Sequence, residues 1–154
     1  MCRPRYASKA RPRRRSSTSS APTGSELAYL DASALVKLVR DEPQSDALRQ
    51  AVRAWPRRAS SRIVVVEVIR AVRRADARLE PSAARALSGV SLLLLSDHVL
   101  RVAALLDPAG VRTLDSIHLA SALRVRAVLS AFVSYDRRQL EAAEAVGLPV
   151  ASPS

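Results

Sequence analysis

The sequence has one cysteine, Cys2, few glycines and hardly any aromatic residues. A single cysteine excludes an intrachain disulfide and a zinc site built on several cysteines, and it favours a reducing compartment such as the cytoplasm. The four glycines are too scattered for a GxGxxG motif or a P-loop. Because aromatic residues make up only 3% of the chain, Ala, Val and Leu must fill the core.

Long hydrophobic runs are also missing. No apolar run approaches the roughly 20 residues that a membrane-crossing helix needs, so the sequence predicts no membrane partner. The chain has 154 residues, of which 48% are hydrophobic. This is enough for one domain with its own core.

Positive charge is concentrated near the N-terminus. Residues 1–25 contain seven of the 25 Arg and Lys residues and none of the 14 acids. Because this Arg-, Ser- and Pro-rich segment has no hydrophobic period, we predict a basic, disordered extension over residues 1–26 and one domain over residues 27–154. The extension is either an RNA-contacting arm or a dispensable addition, and we favour the second interpretation.

From Leu27 onward, strand-like and helix-like segments alternate. Strands are predicted at 27–30, 60–64, 91–95, 131–135 and 148–150, and helices at 32–39, 45–54, 65–79, 81–87, 97–106, 114–126 and 137–146. Alternation of this kind predicts an α/β fold with a mainly parallel sheet that is covered by helices on both faces.

Four acids stand where such a fold builds its sites. Asp31 and Asp136 follow predicted strands, Asp115 opens a predicted helix, and Glu67 lies within the apolar run 63–69. In open parallel sheets, sites form outside the carboxyl ends of the strands, so acids far apart in sequence converge there. An acid in an apolar segment is costly to desolvate without a partner, so this pattern indicates a binding site.

Carboxylates that are brought together repel each other unless a cation lies between them. Two of them at about 5 Å repel by roughly 3 kcal/mol at an effective dielectric of about 20. Since hard cations prefer oxygen ligands, we predict a Mg²⁺ or Mn²⁺ site formed by Asp31, Glu67, Asp115 and Asp136. Such ions polarise a phosphodiester and activate a water molecule. Ser134, two residues before Asp136, is positioned to orient a water or a carboxylate.

Each acid also has a simpler structural explanation. Asp115 and Asp136 are ordinary helix-start residues, and Asp31 is positioned to cap the helix that follows it. Caps and turns do not explain Glu67, which the pattern places in mid-helix. His118, one turn after Asp115, is a candidate general base, but we favour a structural role because the metals already supply an activated water.

A stripe of arginines follows Glu67 at helical spacing, namely Arg70, Arg74 and Arg78. Either the stripe is solvated, with Arg70 paired to Glu67, or it holds RNA phosphates beside the metals. For Arg74 and Arg78 we favour the solvated interpretation.

Four segments carry a resemblance to a known family. They are YLDASALVKL at 29–38, VEV at 66–68, LDSIHLASAL at 114–123 and FVSYDRRQLEAAEAVGL at 132–148. In this order and spacing, the chain resembles a PIN domain over about residues 27–150. Within that family it is most similar to a VapC-type toxin of a bacterial type II toxin–antitoxin system.

The resemblance implies a three-layer α/β/α sandwich with Mg²⁺- or Mn²⁺-dependent endoribonuclease activity. By position, it implies that the catalytic site consists of four acids and a hydroxyl: Asp31, Glu67, Asp115, Asp136 and Ser134. Ser33 matches a Ser or Asn near the first acid, whereas Ala32 stands where the family often has Thr or Ser. The resemblance also implies a homodimer, an RNA substrate and a VapB-type antitoxin that wraps the toxin.

The main alternative function is a non-catalytic, basic nucleic-acid-binding module. The sequence shows no helix-turn-helix, no RNA-recognition aromatic set and no glycine-rich clamp to support it. A phosphatase of the haloacid dehalogenase type would need a second Asp two residues after Asp31, where Ser33 stands. A receiver domain would need paired acids before Asp31, and residues 1–25 contain none.

Deletion of residues 1–25 distinguishes the two interpretations of the basic extension. Because the predicted site lies wholly within residues 27–154, we expect the truncated protein to cleave RNA at nearly the rate of the full chain. The measurement is the initial cleavage rate of both proteins on one RNA. A large loss of activity in the truncated protein would instead identify the extension as an RNA-binding arm.

Overall fold

The structure, a computed structural model, describes residues 26–107 and 110–154, so the predicted disorder of residues 1–25 concerns a segment outside the described residues. Its sheet consists of β1 (Leu27–Leu30), β2 (Arg57–Ser61), β3 (Ser91–Leu93), β4 (Leu129–Val133) and β5 (Val150–Ala151). The spatial order is β3-β2-β1-β4-β5, and every neighbouring pair is parallel. β1 is therefore the central strand and has β4 beside it.

Helices connect these strands. They are α1 (Ala32–Val39), α2 (Ser45–Ala54), α3 (Val64–Asp76), α4 (Glu80–Ser88), α5 (Asp97–Ala104), α6 (Thr113–Leu123) and α7 (Arg137–Ala145). Across the described ranges, none of them is long and apolar enough to span a lipid bilayer.

The side chains of β1 show how the layers are arranged. Ala28 and Leu30 pack into a core that is completed by α1 to α4, whereas Leu27 and Tyr29 pack into a second core formed with α6 and α7. Successive strand residues point to opposite faces, so one short strand supplies both cores. The predicted α/β/α sandwich with a parallel sheet is confirmed.

The segment between β2 and α3 differs from the prediction. The sequence pattern places a strand at 60–64, whereas the strand is Arg57–Ser61 and the helix already begins at Val64. Val64, Val68 and Val72 recur every four residues and are fully buried. Burial of this helical face overrides the strand preference of the β-branched residues. The polar β2 is a strand because it pairs with β1 and β3.

The carboxyl ends of β1 and β4 position the site. β4 ends at Val133, two residues earlier than predicted, so Ser134 lies in the loop after the strand. Asp31 is the first residue after β1, and its backbone N–H donates to the carbonyl of Val133 at 3.1 Å. Asp31 and Ser134 therefore lie side by side, each directly after one of two adjacent strands.

Candidate active site

The carboxylate of Asp31 is buried and accepts hydrogen bonds from three residues. Only 2% of the residue is exposed. Oδ1 accepts from the backbone N–H of Ala34 at 2.8 Å, which caps α1 as the sequence predicts. Ser33 Oγ lies 2.7 Å from Oδ1 and 2.9 Å from Oδ2, and Ser134 Oγ donates to Oδ2 at 2.7 Å. Capping thus explains only one of these contacts.

Ser134 links Asp31 to the start of α7. Its oxygen accepts the backbone N–H of Asp136 at 3.0 Å and also lies 3.2 Å from Oε1 of buried Gln139. A hydroxyl has one proton, and the shorter contact assigns it to Asp31. The Gln139 side-chain nitrogen has no partner in this orientation. An amide rotated by 180° would donate to Ser134 and satisfy both groups.

Burial controls the charge of Asp31. Removal from water raises the pKa of its carboxyl, and the hydrogen bond from Ala34, the charge interaction with His118 and the hydrogen bonds from Ser134 and Ser33 partly oppose that rise. In the described part of the chain, neither lysine nor arginine forms an ion pair with this carboxylate. Asp31 is therefore hydrogen-bonded but is not ion-paired with a lysine or arginine of the described residues.

Glu67 is held by a histidine. It lies in the first turn of α3 rather than in mid-helix, and 19% of its side chain is exposed. Its Oε2 is 2.7 Å from Nε2 of His118, and Nδ1 of His118 is 2.8 Å from the hydroxyl of Tyr29. Sequence reasoning missed Tyr29, and its only signal is a polar hydroxyl on an otherwise apolar buried strand.

Asp115 lies in the first turn of α6, one turn before His118. Partial burial raises the pKa of its carboxyl, and the negative charge of Asp136 raises it further. Glu67 adds to this effect, while Arg112 opposes it. Asp115 is therefore within electrostatic range of two other predicted site acids.

Asp136 has the simplest environment of the four acids. It is the N-cap of α7, and its Oδ1 accepts the backbone N–H of Arg138 at 2.9 Å. The guanidinium of Arg138 lies 4.0 Å away, and 35% of the Asp136 side chain is exposed. Helix capping accounts for these contacts. Asp136 is connected to the site through the effect of its negative charge on the pKa of Asp115.

Two depressions flank these acids. The larger, of about 720 Å³, is lined by Ser33 and Glu67 together with Arg70 and Arg74. Asp115 lines a second depression of about 270 Å³, together with the arginines at 112 and 138. Basic side chains therefore border Glu67 in one depression and Asp115 in the other.

The donor chemistry of the site fits a divalent cation. The candidate ligands are carboxylate and hydroxyl oxygens, which Mg²⁺ and Mn²⁺ prefer, and burial raises the pKa values of Asp31 and Asp115. Within residues 26–107 and 110–154, no three Asp, Glu, His or Cys side chains form a ready ligand cluster. Charge interactions link Asp115 with Asp136 and Glu67, and these acids do not form a closed set of ligands in the described residues.

Comparison with known proteins identifies the family. A model of the PIN domain matches residues 28–145. Ribonuclease VapC46 of Mycobacterium tuberculosis is 42% identical over 126 residues, which cover 82% of this chain and 97% of the relative. Ribonuclease VapC47 of the same species is 38% identical over 132 residues, with the same coverage of 82% and 97%.

Solved structures agree with this assignment. A toxin–antitoxin complex from Klebsiella pneumoniae superposes with a TM-score of 0.63 and 25% identity, over 82% of this chain and 98% of that chain. Mycobacterium tuberculosis VapC20, a sarcin-ricin loop cleaving toxin, shares the fold with a TM-score of 0.62 at 15% identity, over 79% and 95% of the two chains. The resemblance drawn from four sequence segments is confirmed, and the chain belongs to the PIN-domain family, among its VapC members.

Proposed function

We propose that this protein is a Mg²⁺- or Mn²⁺-dependent endoribonuclease and the toxin of a VapBC-type toxin–antitoxin pair. The relatives named as ribonucleases support the activity, since the chain spans nearly their whole length. The observation that carries the metal dependence is the buried Asp31 carboxylate at the end of the central strand, which accepts hydrogen bonds from two hydroxyls and forms no ion pair with a lysine or arginine of the described residues. The division of the chain into a basic extension over residues 1–26 and one domain over residues 27–154 is also part of this proposal.

The proposed site assigns a separate task to each group. Asp31, Glu67, Asp115 and Asp136 would hold the cation, and Ser134 would keep Asp31 oriented through its 2.7 Å hydrogen bond. When bound, the cation supplies the charge that activates a water molecule and stabilises the phosphodiester oxygens. Without the cation, burial raises the pKa of Asp31. Ionisation of this residue therefore costs free energy in the folded chain, and a bound cation would offset that cost.

Helix α3 provides the proposed contact with RNA. Arg73 and Arg78 form ion pairs with Glu80 at 3.4 Å and with Asp76 at 3.0 Å, respectively. Arg70 and Arg74, one turn apart, line the larger depression beside the acids.

Neither Arg70 nor Arg74 pairs with an acid in the described ranges. No ion pair joins Arg70 to Glu67 in the described ranges, where the partner of Glu67 is His118. We therefore assign Arg70 and Arg74 to RNA phosphates, in place of the solvated interpretation favoured above for Arg74, while Arg78 is paired with Asp76.

The partners follow from the same family relationship. The toxin–antitoxin complex from Klebsiella pneumoniae supports a VapB-type antitoxin as partner. Val66 and Leu114 line the larger depression with 53% and 44% of their surfaces exposed, which suits an apolar segment of that antitoxin. A homodimer and a cytoplasmic location, where RNA is available, complete the proposal.

Metal-dependent cleavage tests the proposed function. We expect the full chain to cleave RNA in Mg²⁺ or Mn²⁺ and not in chelator. Asp31→Asn should slow cleavage by about 100-fold or more, the effect of removing one group from a preorganised electrostatic site. The measurement is the initial rate on total RNA and on labelled oligoribonucleotides.

The matched control for cleavage is Asp41→Asn, which removes an acid whose side chain is 91% exposed. It should leave the rate unchanged. Cleavage by Asp31→Asn at the rate of the wild type would contradict the proposed site. RNA binding in chelator, with no cutting under any condition, would favour the alternative of a non-catalytic binding module.

The arginine assignment predicts a salt-dependent effect. In an Asp31→Asn background, which keeps the RNA intact, Arg70→Gln and Arg74→Gln should each weaken RNA binding by about fivefold. Each should also make the slope of log Kd against log salt shallower by roughly 0.7 to 1, because one phosphate contact is lost. The measurement is fluorescence anisotropy at several salt concentrations.

The control for this experiment lies on the same helix. Arg73→Gln removes an identical charge that is already paired with Glu80. It should change the slope much less than Arg70→Gln or Arg74→Gln. Equal changes for all three variants would show that general charge, and no defined phosphate contact, governs RNA binding.

The raised pKa of Asp31 predicts how stability depends on pH. In the folded chain, the pKa of Asp31 lies above its ordinary value of 3.8. The protonated carboxyl therefore contributes its full stabilisation below pH 3.8, and this contribution is lost as the pH rises through the raised pKa. In chelator, the Tm of Asp31→Asn relative to wild type should therefore increase from pH 4 to pH 7. A difference of 1 kcal/mol corresponds to about 4 °C in a domain of this size.

Thermal melts followed by circular dichroism measure this difference, and Asp41→Asn again controls for the loss of one surface charge. Asn remains a good helix cap, so the comparison isolates the carboxylate charge. Added Mg²⁺ should raise the Tm of the wild type at pH 7 and leave Asp31→Asn nearly unchanged. If the difference in Tm between Asp31→Asn and the wild type does not vary with pH, the charged, buried state of Asp31 is contradicted.

A further inference from the structure

We propose that Tyr29 and His118 are positioning residues that orient the Glu67 carboxylate toward a bound cation. This inference rests on the proposed function, because it concerns the same site. It assigns a task to two buried polar side chains that the cleavage chemistry does not otherwise use.

A continuous line of hydrogen bonds reaches Glu67 from the centre of the sheet. The backbone N–H of Ser61 on β2 donates to the hydroxyl of Tyr29 on β1 at 2.8 Å. That hydroxyl lies 2.8 Å from Nδ1 of His118 on α6, and Nε2 of His118 lies 2.7 Å from Oε2 of Glu67 on α3. Four elements of the fold thus determine where one carboxylate oxygen lies.

Packing holds the two rings in place. Tyr29 is completely buried and stacks on Phe132, with ring centroids 5.3 Å apart and an interplanar angle of 8°. His118 is 2% exposed and meets the tyrosine ring edge-on at 84°. Because neither ring is free to rotate without disturbing the core, the hydrogen-bonding direction of His118 is fixed before a ligand arrives.

The same contacts select one tautomer of the histidine. Burial raises the pKa of Tyr29, so its hydroxyl keeps its proton. That oxygen accepts the N–H of Ser61, and we assign its proton to the contact with Nδ1 of His118. The ring proton then lies on Nε2 and is donated to Glu67.

This arrangement suits a cation site better than a direct ion pair would. His118 orients Oε2 of Glu67 through one directed hydrogen bond, which leaves Oε1 for a cation. An arginine in the same place would add positive charge and compete with the metal. Arg70, one turn along α3, is not bonded to Glu67. Groups that hydrogen-bond to metal ligands commonly change metal affinity by 10- to 100-fold.

Mn²⁺ binding to the full-length protein tests this assignment, with electron paramagnetic resonance of the free ion as the readout. We expect His118→Leu to weaken Mn²⁺ binding by about 10-fold or more, because Glu67 loses its donor. His118→Gln should stay within about threefold of the wild type, since its amide nitrogen can replace Nε2. Tyr29→Phe should fall between them. His98→Leu, at an exposed histidine, is the matched control and should bind as the wild type does.

Two outcomes overturn the inference while leaving the proposed function intact. These are a His118→Leu protein that is folded and binds Mn²⁺ like the wild type, and a His118→Gln protein that binds as weakly as His118→Leu. If His118→Leu does not fold, Tyr29→Phe and His118→Gln decide the question through the same binding curve. Failure of the wild type itself to bind Mn²⁺ would overturn the proposed metal site and this inference with it.

A spectroscopic signature separates positioning from mere packing. Long-range ¹H–¹⁵N spectra of the histidine ring should show the Nε2–H tautomer for His118 in the wild type. Tyr29→Phe, which keeps the aromatic ring and removes only the hydroxyl, should give a mixture of tautomers. A wild-type spectrum with the proton on Nδ1, or one that Tyr29→Phe does not change, would refute the role assigned to the hydroxyl.

Discussion

The buried carboxylate of Asp31 is the interaction on which the site depends. It sits where the central strand turns into α1, and it accepts hydrogen bonds from Ala34, Ser33 and Ser134. These contacts begin a helix, tie together the loops that follow two adjacent strands, and keep a negative charge away from water. The same residue therefore serves the fold and the proposed chemistry, and its structural and functional explanations are not alternatives.

Much of the fold could be predicted because its signals are local. β1 is a short apolar run followed by Asp31, and the burial of Val64, Val68 and Val72 repeats at helical spacing. The strand at Arg57–Ser61 could not be predicted, because nothing in its polar sequence favours a strand. It forms through pairing with two partners that are distant in the chain. Burial of Val64 explains why α3 starts one residue earlier than predicted.

The site was predictable only as a set of residue types. Acids after strands and at helix starts indicate a cation site, and a family resemblance selects which ones. No local pattern reveals that Glu67 meets His118 across 51 positions, or that His118 meets Tyr29 across 89. These contacts arise from the tertiary fold, which brings β1, α3 and α6 within hydrogen-bonding distance. The partner of Glu67 therefore required the three-dimensional structure.

The surroundings of Lys37 have a practical consequence. Its amine donates to the carbonyl of Pro43 at 2.8 Å and lies 4.6 Å from the ring centroid of Tyr135, which leaves only 9% of the side chain exposed. The sequence has one other lysine, Lys9, which is outside the described residues. Almost all positive charge of the domain is therefore carried by guanidinium groups. Amine-directed cross-linkers would find a single, nearly inaccessible target there, so mapping of its bound partners requires reagents that react with arginine or carboxyl groups.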